Sequence, residues 1–159
     1  MNLNLLAKQH YEWVEAMNWH NKTVLEALAL IASEIGESAF EHLDSTPTNH
    51  FGEELADIML RTLDLGCWQN VNMDKEVEHS VIDWKYKDVP KMFMQLNYEF
   101  GNLVNSARKE KLDYNFHKSL GLFLRSVLDI AEFTNIDLEK EILAKMEINL
   151  QRGTRGRII

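Results

Sequence analysis

Thr23–Leu43 reads TVLEALALIASEIGESAFEHL and Phe51–Cys67 reads FGEELADIMLRTLDLGC. In both stretches apolar residues recur at the three- and four-residue steps that line one face of an α-helix. Thr23 and Glu26 have the spacing of a capping box, so a helix is predicted from Thr23 to about Leu43. Between the stretches, Asp44–His50 concentrates Asp, Ser, Thr, Pro and Asn, which compete with helix through side-chain hydrogen bonds or a missing donor. Two amphipathic helices joined by a short loop should pack as antiparallel neighbours.

Outward from this hairpin the same helical period predicts helices over about Asn4–Met17, Asp74–Trp84, Pro90–Lys109, Asp113–Phe133 and Asp137–Leu150. No run alternates polar and apolar residues as a strand does, and only two prolines and seven glycines occur, against a loop-rich all-β fold. Sliding the chain by 65 residues aligns Glu34 with Glu99, Gly36 with Gly101, Phe51 with Phe116, Leu55 with Leu120, Asp64 with Asp129 and Asn70 with Asn135. Such self-similarity predicts a tandem duplication. The expected fold is all-α: a pseudo-symmetric four-helix bundle of two hairpins, plus an N-terminal helix. It forms one domain over 1–159, with repeat one at about 22–87, repeat two at about 88–152, and a short basic tail at 153–159.

The chain has 159 residues, 45% of them apolar and 26% charged, which is ordinary for a folded domain with one core. A formal charge of −8 disfavours a nucleic-acid polymer as partner. No apolar run is long enough to span a membrane and no signal segment is evident, so a cytoplasmic protein is expected, with no membrane partner. Cys67 is the single cysteine and is read as a small apolar filler.

Glu34-Ile-Gly-Glu37 and Glu54-Leu-Ala-Asp57 each place two acids three residues apart, on one helix face. Sixteen residues separate the pairs and contain the loop, so all four carboxylates can converge at one level of the bundle. Converging acids raise one another's pKa values unless a cation neutralises them, which points to a hard metal cation. Gly36 in mid-helix suggests the close approach of a ligand or another backbone.

At these residues the chain resembles the MazG-like all-α nucleoside triphosphate pyrophosphohydrolase superfamily, whose signature is a Glu-x-x-Glu pair followed after a loop by Glu-x-x-Asp. ALIASEIGESAFEHL and FGEELADIML resemble its two metal-bearing helices, and the likeness spans roughly Lys22–Arg152. It implies hydrolysis of a nucleoside triphosphate to the monophosphate and pyrophosphate, with Mg²⁺, or Mn²⁺, on Glu34, Glu37, Glu54 and Asp57. By analogy the first guess at a substrate is a deoxynucleotide such as dUTP, and assembly into a homodimer is in keeping with the superfamily. Many members carry a further Glu where this chain has Ser33, so that residue's base role does not carry over.

In repeat two the corresponding positions are Glu99, Asn102, Ser119 and Leu122, so a second metal site is not expected. Lys145, Asn149 and Arg152 form instead one polar and cationic stripe on the last helix, suited to phosphate, and resemble a pattern in dimeric dUTPase-like relatives. A basic stripe there also suits the negative helix end. Trp19 and Lys22, before the metal helix, are candidates for contact with the base. Two other functions compete. One is a noncatalytic helical binding protein. The other is a di-iron bundle, for which Glu76-Val-Glu-His79 supplies one of the two Glu-x-x-His motifs required.

Overall fold

A computed structural model describes residues 1–43, 48–85, 87–108 and 112–152. Among them are seven helices and no strand: α1 (Leu3–Ala16), α2 (Val24–Phe40), α3 (Phe51–Trp68), α4 (Met73–Glu78), α5 (Val89–Arg108), α6 (Tyr114–Phe133) and α7 (Leu138–Arg152). Lys109, the first part of the predicted loop (44–47) and the basic tail 153–159 lie outside the described residues.

The start signals act as the sequence implies. Thr23 accepts from the Glu26 amide at 3.1 Å while the Glu26 carboxylate accepts from the Thr23 amide, completing the capping box of α2. The same devices recur in register. Asp88 accepts from the Lys91 amide where Thr23 accepts from that of Glu26, and Asp137 accepts from Lys140 where Asn72 accepts from Lys75. Asn70 and Asn135 both adopt left-handed backbone, at φ 56° and 57°, and each ends its helix with the same pair of amide-to-carbonyl bonds. Each pair is separated by the 65-residue offset that the sequence alignment gives, so the repeat extends to the hydrogen bonds that start and stop its helices.

Packing closes α2, α3, α6 and α5 into a four-helix ring, with α1 against α3 and α4. α2 and α3 run antiparallel: His42 meets Phe51 at the loop end, and Glu34 meets Arg61 farther along. The core repeats as well. Phe51 and Phe116, Leu55 and Leu120, Ile58 and Phe123, and Met59 and Leu124 are all buried, each contributing roughly 1.5–3 kcal/mol of burial free energy. Beyond the predicted N-terminal helix, two more helices flank the ring, and they are exchanged between repeats: α4 packs on α6, and α7 packs on α3. The crossing of α7 to α3 carries Lys145 towards the acids of repeat one.

Two helix ends and one glycine depart from expectation. α2 stops at Phe40, followed by a turn through Leu43. α4 stops at Glu78 rather than Trp84, because His79 Nδ1 and the Ser80 hydroxyl bond back to the carbonyls of Lys75 and Glu76. Trp84 is drawn instead to α6, where its indole N–H donates to Asp129 at 2.6 Å. Gly36 is exposed, and a Cβ there would meet nothing within 4 Å, so no other backbone approaches it. The glycine that does permit close approach is Gly121, where a Cβ would lie 2.7 Å from the Glu76 Cβ and 2.9 Å from its carbonyl group. Cys67 is half-buried against the core, and burial raises its thiol pKa.

These two glycines predict opposite outcomes. Gly36→Ala should stabilise the protein by about 0.5–1 kcal/mol, through helix propensity alone. Gly121→Ala should destabilise it by about 1–3 kcal/mol, because the α4 backbone must shift. Urea unfolding of the two variants measures both, and a destabilised Gly36→Ala would restore the close-approach reading.

Candidate functional site

The face of α2 that carries Glu34 turns towards the start of α3, and between them opens a cleft of about 550 Å³. Glu34, Glu54 and Asp57 each present a carboxylate oxygen, all within 4.8 Å of one another. Glu34 is buried, Glu54 and Asp57 are half-buried, and Glu37 stands exposed on the same cleft, accepting from the Ser33 hydroxyl at 3.2 Å. The structure thus gathers three of the four predicted acids into one group and leaves Glu37 at its edge.

Two cations hold this group together, and neither pairing is legible in local sequence. Arg61, one helical turn beyond Asp57, donates through Nε to Glu34. Lys145, buried on α7, reaches Asp57 at 2.5 Å and Glu53 at 2.7 Å. Because α7 packs directly on α3, the first residue of the stripe predicted to suit phosphate touches the acids. Asn149 and Arg152 continue the stripe along the cleft wall. Trp19 lines the cleft, whereas Lys22 is exposed and is not part of its lining. Sequence reasoning also missed Glu53, Asp64 and His10, which line it too.

The electrostatics follow from crowding and burial. Glu54 is pushed up to about 7 by burial, then by the negative charges of Asp57, Glu37 and Glu34, against the pull of Lys145. Burial raises Asp57 as well, and its hydrogen bond from Lys145 does not fully offset this. Glu53 is lowered, chiefly by its hydrogen bond from Lys145. Burial works against the charge of Lys145, but its bonds to Asp57 and Glu53 outweigh that and raise its pKa. Elsewhere in the cleft, burial pushes Asp64 up to about 6, and His10 down to about 4 with help from the nearby charge of Arg61.

Repeat two presents a different surface. Glu99 takes the place of Glu34, buried, with Gln95 donating to it at 2.7 Å. Ser80, Trp84 and Lys87, the repeat partners of Lys145, Asn149 and Arg152, line a second cleft of about 660 Å³ together with Arg125 and Asp129. Among the described residues the only group of three or more side chains able to hold a metal is Glu34, Glu54 and Asp57, and no histidine joins it. His79 sits exposed at the end of α4, bonded to its own helix.

No family model matches the chain, and no curated protein or solved structure matches it. Also among the described residues, no helix is long and apolar enough to cross a membrane.

The raised pKa of Glu54 has a consequence for stability. Its carboxyl keeps a proton up to about pH 7 in the folded chain, against an ordinary 4.5, so the folded state binds more protons between those values. The contribution of this group to stability is therefore fully present below about pH 4.5 and is lost as pH rises through 7. Glu54→Gln removes the titration. In metal-free buffer the variant should become progressively more stable relative to the unsubstituted chain between pH 5 and 7.5, as read by urea unfolding. Parallel stability curves would contradict the crowding described here.

Proposed function

We propose that this protein is a magnesium-dependent nucleoside triphosphate pyrophosphohydrolase, cleaving its substrate to the monophosphate and pyrophosphate. One observation carries the reading: three carboxylates from two antiparallel helices lie within 4.8 Å of one another in a cleft that Lys145, Asn149 and Arg152 also line, with Lys145 against Asp57. Oxygen ligands on a half-buried face suit a hard cation, and Glu54 at about 7 marks a site with surplus negative charge. Glu34, Glu54 and Asp57 would hold the cation, with Glu37 at the rim as a further ligand. When bound, Mg²⁺ supplies neutralising charge for the polyphosphate and acidifies a coordinated water.

The chain's own groups do the rest. Lys145 stands beside the acids with its ammonium held by Glu53 and Asp57, so a phosphate entering the cleft meets a positioned cation. Asn149 and Arg152 follow at the next turns of α7 and extend donors along the phosphate chain. Arg61 binds Glu34 and fixes the carboxylate that lies deepest.

A screen of nucleoside triphosphates with Mg²⁺ should release pyrophosphate for at least one substrate, and inorganic phosphate as first product would reject the scheme. Asp57→Asn should lower kcat/KM by about a hundredfold or more, since it removes one negative ligand while keeping the shape. Ser119→Ala, at the degenerate position of repeat two, should change it little.

The internal ion pairs favour a second reading, a noncatalytic bundle whose acids are compensated by Arg61 and Lys145 alone. Such a protein would release pyrophosphate from no nucleotide, and its melting temperature would not respond to Mg²⁺.

A further inference from the structure

We infer that Asp64 is the residue by which the cleft reads a base, and that it selects bases bearing an amino group over uracil or thymine. The inference rests on the nucleotide reading above and concerns the other end of the same cleft. Asp64 lies on α3 seven residues beyond Asp57, two turns or roughly 10 Å along the helix, which leaves room for a sugar between phosphate and base. The same cleft is lined by the rings of Trp13, Trp19 and His10. Trp13 and Trp19 meet edge to face at 4.8 Å, and His10 stacks on Trp13 at 5.6 Å, a rigid apolar frame suited to a flat heterocycle.

Asp64 Oδ1 is sealed from solvent and has no hydrogen-bond partner among the described residues. A buried acceptor left unsatisfied is costly, and the aspartate that carries it is one of the residues lining the cleft. Repeat two supplies an internal comparison. Asp129 occupies the same repeat position, but Trp84 donates to it at 2.6 Å and Arg125 pairs with it at 2.6 Å. Asp129 is thus hydrogen-bonded by its own chain, whereas Asp64 has the charges of His20 and Arg61 nearby but no hydrogen bond to its Oδ1 among the described residues.

A carboxylate oxygen only accepts hydrogen bonds. The exocyclic amino group of cytosine or adenine, or the amino and ring N–H edge of guanine, can donate to it. Uracil and thymine carry no exocyclic amino group, and their one donor at this edge, the ring N3–H, is flanked on both sides by carbonyl oxygens, which a carboxylate repels. This preference departs from the dUTP that analogy suggests.

The test is binding of nucleoside monophosphates to the full chain by calorimetry at pH 8, comparing dCMP with dUMP, and dAMP and dGMP with dIMP. No turnover is involved, so its failure is separable from a failure to release pyrophosphate. The amino-bearing member of at least one pair should bind about tenfold or more tightly. Asp64→Asn, whose amide can both donate and accept, should bring that ratio close to one while melting and circular dichroism stay those of a folded chain. Equal affinities within every pair, absence of binding by all five, or a ratio unmoved in folded Asp64→Asn would overturn the inference.

Discussion

Negative charge crowded between two helices is the constraint on which the rest of this structure depends. Glu34 from α2 and Glu54 and Asp57 from α3 share a space under 4.8 Å across, and burial together with mutual repulsion lifts Glu54 to about 7. Such a group destabilises its fold unless something positive is brought to it. Arg61 comes from the same helix, one turn on. Lys145 comes from the far end of the chain, and it arrives only because α7 leaves its own repeat and packs on α3. The packing of α7 on α3 is thus what brings this cation to the acids.

The two repeats show how one scaffold carries two surfaces. Their caps, left-handed asparagines and buried aromatics match at a constant offset, so the backbone problem is solved the same way twice. The polar positions diverge. Where repeat one sets Asp57 against Lys145, repeat two sets Leu122 and Ser80, and the carboxylate kept at Glu99 is buried beside a neutral Gln95. Asp64 and Asp129 diverge through their neighbours alone: Arg125 replaces Leu60, and Trp84 replaces Asn149, so one aspartate gains partners that the other lacks.

The all-α fold, the repeat and most helix boundaries were legible because they rest on local rules. Thr23 with Glu26 is a local pattern, as is an asparagine after the last apolar turn. α4 was overextended because its apolar spacing continues through Val81 and Trp84, while Ser80 and Trp84 find hydrogen bonds that end it. Gly36 was misread since a mid-helix glycine has the same sequence signature whether its face is crowded or open. Three of the four acids converge as i, i+3 spacing on neighbouring helices implies. The pairings of Arg61 with Glu34 and of Lys145 with Asp57 span 27 and 88 positions, and no local rule selects such partners. For the same reason the helical spacing puts Lys145 in line with Asn149 and Arg152 but does not reveal its pairing with Asp57.

The central claim is that this carboxylate group is a site for a divalent cation, and metal titration tests it without any assumption about substrate. Calorimetric titration of the metal-free chain with Mn²⁺, and competition by Mg²⁺, should show saturable binding that is lost when Glu34 and Asp57 are replaced by Gln and Asn, with helical circular dichroism unchanged. Absence of saturable binding, or binding of equal strength in that folded double variant, would contradict the claim and leave the acids as a network neutralised by Arg61 and Lys145.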